Sequence, residues 1–178
     1  MYPGHWAKVH PEKVAIVNTL TGAEQTYAQL NDRSNQLAQL LWAKGLRRGD
    51  HIALFMENDI RYFEVVWAAL RSGLYITTIN RYLTCEEAGY IVDDCEAQAL
   101  VTSAVMHEAE GLQAHAPNCH TWLSMDDRHP GFDDYDEAIA AFPAEPLAEE
   151  PAGGMMLYSS GTTGRPKGIK RPLPDRSI

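Results

Sequence analysis

Apolar residues in this chain fall into short runs separated by stretches with helical spacing. Val14 to Val17, Ile52 to Met56, Tyr75 to Ile79, Ala99 to Val101 and Thr121 to Leu123 are compact runs bounded by polar or turn residues, and each predicts a strand. Between the first two, Tyr27, Leu30, Leu37, Ala38 and Leu41 recur behind Thr26 and Gln29, which form a capping-box pair, and Gly45 followed by Leu46 stops that helix. The next helix, Ile60 to Arg71 with Asn58 or Asp59 as cap, is apolar nearly all round and predicts burial on more than one side, with Tyr62 and Trp67 as core residues. Thr84 with Glu87 opens another helix through Ala88, Ile91 and Val92, and Ser103 caps one through Leu112.

Strand and helix thus alternate with short connections. That order predicts an α/β fold around a largely parallel sheet. From Asp126 to Glu150 the pattern breaks, with many Asp and Glu, one Arg and several prolines, which reads as a solvated connector holding one short helix over Tyr135 to Phe142. The division that follows is residues 1–125 as an α/β portion, 126–154 as an acidic, Pro-rich connector, and 155–178 as a strand with a loop.

The chain has 178 residues, enough to bury roughly 70 % of its unfolded surface. Hydrophobic content of 45 % against 22 % charged suits a folded protein. The formal net charge of −9 argues against nucleic-acid binding and would repel an anionic nucleotide, so any phosphate site must be local. The first residues form no signal peptide, and the longest apolar stretch, Val65 to Leu70, is far too short to cross a membrane. Three unremarkably spaced cysteines fit a reducing cytoplasm, with peripheral membrane association left open.

Beyond the connector the sign of the charge reverses, with Arg165, Lys167, Lys170, Arg171 and Arg176 against Asp175. There the run Met155, Met156, Leu157 leads into Tyr158, Ser159, Ser160, Gly161, Thr162, Thr163, Gly164, Arg165, Pro166, Lys167 and Gly168. Glycines allow successive backbone N–H groups to converge on an anion, hydroxyls add neutral donors, and lysine adds a mobile positive charge. This is the chemistry of a polyphosphate cradle. It is not a Walker loop, since Pro166 and Gly168 stand where that loop needs glycine and Ser or Thr around its lysine. His107, His115, His120, His129 and Cys119 have no recognised metal-ligand spacing, Asp133, Asp134 and Asp136 lack the EF-hand pattern, and no Gly-x-Ser-x-Gly elbow occurs.

From Ser159 to Lys167 the loop resembles, position for position, the phosphate-binding signature of the adenylate-forming superfamily, which includes acyl-CoA synthetases, peptide-synthetase adenylation domains and luciferases. Thr26 to Leu30, Asn35, Ala38, Gly49 with Asp50, Glu57 with Asn58, Asn80 and Leu83 to Tyr90 resemble the opening of acyl-CoA synthetases. The resemblance implies the N-terminal portion of that fold's large domain, truncated, with catalytic residues beyond Ile178. It implies ATP with Mg²⁺, a fatty or related carboxylic acid, and coenzyme A as co-substrate. Ser159, Ser160, Gly161, Thr162, Thr163, Gly164 and Lys167 would hold the phosphates; no protein metal ligand is assigned. After Gly168 the chain continues Ile169, Lys170, Arg171, Pro172, Leu173 and Pro174, where many relatives continue with an aliphatic residue and a histidine. A fragment ending here would lack the strand returning from the loop and would associate through an unfinished core edge. The alternative is a noncatalytic nucleotide-, pyrophosphate- or partner-binding remnant.

Overall fold

The structure, a computed structural model, describes residues 2–159 and 165–178. A short helix α1 (Pro3–Val9) precedes a small antiparallel pair, β1 (Val14–Val17) and β2 (Glu24–Thr26). Then come α2 (Tyr27–Ala43), β3 (His51–Phe55), α3 (Tyr62–Arg71), β4 (Tyr75–Thr78), α4 (Cys85–Asp94) and β5 (Ala97–Ser103). A short α5 (Leu112–His115), β6 (Thr121–Met125), β7 (Asp133–Asp134), α6 (Tyr135–Ala140), β8 (Gly154–Ser159) and β9 (Lys167–Lys170) complete the chain.

Seven strands form one sheet in the order β7-β6-β5-β3-β4-β8-β9. Every pairing is parallel except β8 with β9. Strands β3 and β6 have no exposed position, which requires cover on both faces. Helix α2 packs on both α3 and α6, and α4 packs on α5 as a separate pair. The core between them holds Leu37, Leu41, Ile52, Leu54, Val65, Ile76, Leu100 and Leu123. None of the helices among the described residues is long and apolar enough to cross a membrane.

Both capping boxes form as the sequence indicates. Thr26 accepts from the Gln29 amide while the Gln29 side chain accepts from the Thr26 amide, and Thr84 with Glu87 does the same for α4. At the end of α2, Gly45 adopts φ +97°, the left-handed turn that a glycine takes without strain. Neither Asn58 nor Asp59 caps α3: the helix begins at Tyr62, two residues later than its apolar pattern suggests, with Arg61 at the N-cap and no side-chain cap bond, and Asp59 instead accepts from the Arg61 amide at 2.8 Å in the turn ahead of it. Phe63 on that helix is 45 % exposed, whereas Glu64 and Arg71 are buried. Burial on more than one side therefore takes in two charges as well as the apolar residues.

Three further expectations are corrected. No helix runs from Ser103 to Leu112: Ser103 ends β5, a 3₁₀ turn covers His107–Ala109, and Gly111 at φ +85° breaks the path before α5. The acidic stretch does more than bridge in solvent. Asp133 and Asp134 pair with β6, Asp134 caps α6 through the Glu137 amide at 2.8 Å, and Tyr135 and Ile139 are wholly buried. A strand does return from the loop, because β9 runs back antiparallel along β8.

Candidate phosphate-binding hairpin

Strand β8 enters the sheet beside β4, with Tyr75 opposite Gly154, Ile76 opposite Met155 and Thr77 opposite Met156. Because this pairing is parallel, Ser159 lies toward the carboxyl end of the sheet, where open α/β sheets bind their ligands. The chain then returns through β9, and Ser159 is paired with Lys167, Tyr158 with Gly168, Leu157 with Ile169 and Met156 with Lys170. The first and last expected phosphate contacts thus face each other across one antiparallel ladder. Ser160, Gly161, Thr162, Thr163 and Gly164 lie outside the described residues. Ser159 and Lys167 are both exposed, as a ligand contact requires.

The two faces of the hairpin differ. Met156 and Tyr158 point toward the core, while Leu157 and its partner Ile169 are 53 % and 62 % exposed. At the loop end, the Tyr158 hydroxyl donates to Asp94 Oδ2 at 2.5 Å, and Tyr90 lies 3.3 Å from the Pro166 carbonyl. Burial, reinforced by the Asp94 hydrogen bond, pushes the Tyr158 phenol well above its usual range and keeps it a donor. The Arg165 guanidinium stands 5.0 Å from the centroid of the Tyr90 ring.

The opposite end is held differently. Lys170 Nζ donates to His51 Nε2 at 3.2 Å and sits 5.2 Å from the centre of the Tyr75 ring, on which His51 stacks at 4.7 Å. Tyr75 donates to the Arg171 carbonyl at 2.7 Å. Burial lowers the His51 pKa, and the Lys170 charge lowers it further. Of the cations that the sequence gathers near the loop, Arg165 and Lys167 flank it, whereas Lys170 is engaged with His51 away from it.

An open cleft of about 600 Å³ adjoins the loop exit, lined by Thr84, Glu86, Glu87, Tyr90, Asp93 and Arg165 among others. Three of these are carboxylates, which makes the cleft itself unsuited to phosphate. Sequence reasoning missed Asp94 and Tyr90, whose contacts with the hairpin cross 64 and 76 positions. Buried Glu64, which accepts from Arg33, Tyr135 and Gln25, was missed too; its trace in the sequence is a carboxylate inside an apolar helix.

The sequence model of the family described as AMP-binding enzyme matches residues 4–172. A long-chain-fatty-acid–CoA ligase, FadD13 of Mycobacterium tuberculosis, is 32 % identical over 170 residues, covering 92 % of this chain and 32 % of the ligase. A crotonobetaine/carnitine–CoA ligase of Proteus mirabilis is 28 % identical over 177 residues, 92 % of this chain and 34 % of that protein. This chain spans about a third of the length of both relatives. Among solved structures, a Mycobacterium tuberculosis fatty acyl CoA synthetase superposes with a TM-score of 0.74 at 26 % identity, over 94 % of this chain and 33 % of that one. The anthranilate CoA ligase AuaEII in complex with anthranoyl-AMP gives a TM-score of 0.82 at 24 % identity over 94 % and 33 %, a likeness of fold. With the matched span taking in both the parallel sheet and the Ser159–Lys167 hairpin, the chain belongs to the AMP-binding enzyme family.

Proposed function

We propose that this chain is the N-terminal portion of an ATP-dependent, AMP-forming acyl-CoA synthetase acting on a fatty or related carboxylic acid. The observation that carries this reading is the register of the hairpin, which sets Ser159 opposite Lys167 at the two ends of a Ser/Thr/Gly loop in a chain of this family. In the proposed reaction a carboxylate oxygen attacks the α-phosphorus of ATP, giving an acyl-adenylate and pyrophosphate, and the thiol of coenzyme A then displaces AMP. Mg²⁺ enters as part of the MgATP substrate.

The chain's own contribution is to hold the leaving pyrophosphate. Ser159, Ser160, Thr162 and Thr163 supply hydroxyls, Gly161 and Gly164 let backbone amides turn toward the anion, and Lys167 supplies positive charge. Donors fixed where charge accumulates stabilise the transition state more than the ground state. Each charge-assisted contact contributes about 1.5–3 kcal/mol. Several together offset the repulsion from a chain of net charge −9.

The same proposal keeps residues 126–154 as the segment that carries the chain to the hairpin, assigns a cytoplasmic setting, and places any self-association on the exposed Leu157–Ile169 face of the edge pair β8–β9. The 178-residue chain alone does not form thioester in this reading. Calorimetric titration with magnesium pyrophosphate and MgATP, alongside a thioester assay with ATP, a fatty acid and coenzyme A, tests it. Expected are saturable binding of both anions and no thioester. Absence of any binding overturns the phosphate-site reading, and steady thioester production overturns the division of labour.

A further inference from the structure

Helix α4 ends in two carboxylates, Asp93 and Asp94, with no basic residue in its last turn. Negative charge at a helix C-terminus opposes the macrodipole. Asp94 also lies against Tyr158, one residue before the proposed phosphate contact Ser159, where its charge is unfavourable to an anion by Coulomb's law. A residue that breaks two local preferences is retained for a contact that outweighs them. That contact is with the hairpin. Asp94 Oδ2 accepts from Tyr158, the residue before Ser159, and the single proton of the Tyr90 hydroxyl is shared between Asp94 Oδ1 at 3.2 Å and the hairpin. The Tyr90 hydroxyl is also 3.3 Å from the carbonyl of Pro166, the residue before Lys167.

Resting on the function proposed above, we propose that Asp94 and Tyr90 are positioning residues for the phosphate loop. One carboxylate and one phenol tie both shoulders of the loop, Tyr158 on the way in and Pro166 on the way out, to a single helix. The helix suits that role. Its first turn is fixed by the Thr84–Glu87 capping box, its inner face is buried through Ala88, Ile91 and Val92, and a side chain at Gly89 would meet His115 Cβ at 2.4 Å, so α4 sits tightly on α5. Holding the shoulders lowers the ordering entropy that anion binding must otherwise overcome. The Arg165 guanidinium over the Tyr90 ring extends the clamp to the cation that flanks the loop.

The experiment uses the full 178-residue chain and two readouts: calorimetric affinity for magnesium pyrophosphate, and amide hydrogen exchange at Ser159 and Lys167 without ligand. Asp94→Ala is expected to weaken pyrophosphate about tenfold, and Asp94→Asn, which keeps an acceptor, about threefold. Tyr158→Phe added to Asp94→Ala is expected to cost nothing further, because the two act through one contact. Exchange at Ser159 and Lys167 accelerates in Asp94→Ala, while the melting temperature changes too little to account for the lost affinity. Asp93→Asn, one position away and exposed, behaves as wild type. Unchanged affinity in Asp94→Ala, additive losses in the double variant, or losses that follow the melting temperature would overturn the clamp. Should wild type bind no pyrophosphate, the phosphate-site reading falls, and exchange still decides the clamp: rates at Ser159 and Lys167 equal to wild type in Asp94→Ala refute it.

Discussion

Ser159 and Lys167 are register partners in the β8–β9 ladder, so the two described ends of the phosphate signature are held at the spacing of an antiparallel pair. Lys167 is exposed and forms no ion pair among the described residues, which leaves its ammonium available to a ligand. Lys167→Met is therefore expected to weaken magnesium pyrophosphate binding by about ten- to a hundredfold, the loss of one charge-assisted contact, with Lys167→Arg retaining most of the affinity. Calorimetry at two salt concentrations checks this, since the lysine's share must shrink as salt rises.

Gly153 leads the chain into β8 through a backbone passage with no room for a side chain. A Cβ there would stand 2.4 Å from the Leu74 carbonyl, 2.8 Å from the Ala69 carbonyl and 3.0 Å from Leu70 Cα, all of them backbone atoms that cannot swing aside. Gly153→Ala should destabilise the chain by about 3 kcal/mol in urea denaturation. At the neighbouring Gly154 a Cβ meets only side-chain atoms of Leu173 and Tyr75 at 3.0 Å and beyond, so Gly154→Ala should cost about 1 kcal/mol or less. Equal losses at the two positions would mean that β8 does not enter the sheet along this path.

What the sequence revealed and what it hid divide along contact range. The capping boxes at Thr26 and Thr84 were legible because donor and acceptor lie three positions apart, and the parallel sheet was legible because apolar runs alternate with helical spacing. Gly111 was a visible breaker, yet the polar stretch around it still read as a helix because Ser103 looked like a cap; its hydroxyl instead donates to Glu57. Tyr135 was hidden by the acidic run around it, since charge density reads as exposure while its ring is buried against Glu64 and Arg33. At the candidate site the loop motif was plain, but its attachment to α4 through Asp94 was not. That bond spans 64 positions and leaves no local pattern.

The Arg71 guanidinium is 1 % exposed and joins distant parts of the chain. Its Nε donates to Glu150 Oε1 at 2.6 Å, and its other nitrogens donate to Ser34 Oγ, the Asn31 carbonyl and the Tyr2 hydroxyl. Tyr2 in turn donates to Glu150 Oε2, and the Glu150 carbonyl accepts from the Ile178 amide. Removing one partner leaves a buried charge uncompensated. Glu150→Ala is expected to cost about 3 kcal/mol, whereas replacing both charges, Arg71→Met with Glu150→Leu, should cost less than Glu150→Ala alone. Urea melts of the three proteins test the order. A double variant less stable than Glu150→Ala would show that packing around Arg71, more than charge pairing, holds this junction.

His51 supplies a pH dependence whose direction follows from its surroundings. The ring is 4 % exposed, stacked on Tyr75, and accepts from Lys170 through Nε2, while Nδ1 has no hydrogen-bond partner among the described residues. Burial and the Lys170 charge lower its pKa below the ordinary 6.5, against smaller opposing influences from Glu96 and Asp50. The folded state therefore disfavours the protonated ring. The stability tied to neutral His51 is fully present above about pH 6.5 and is lost as pH falls from there toward the lowered folded value. Protonation would also remove the acceptor for Lys170 and set two positive charges side by side at the base of β9. His51→Phe keeps the stack on Tyr75 without the titration, so the gap in melting temperature between wild type and variant should move in the variant's favour between pH 7.5 and 5.5. Lys170→Met should raise the His51 pKa and shrink that change, because one of the two causes of its lowering is gone. A direct NMR titration of the His51 ring checks both; a midpoint at or above 6.5 in the wild-type chain would mean that Lys170 does not face His51 in solution.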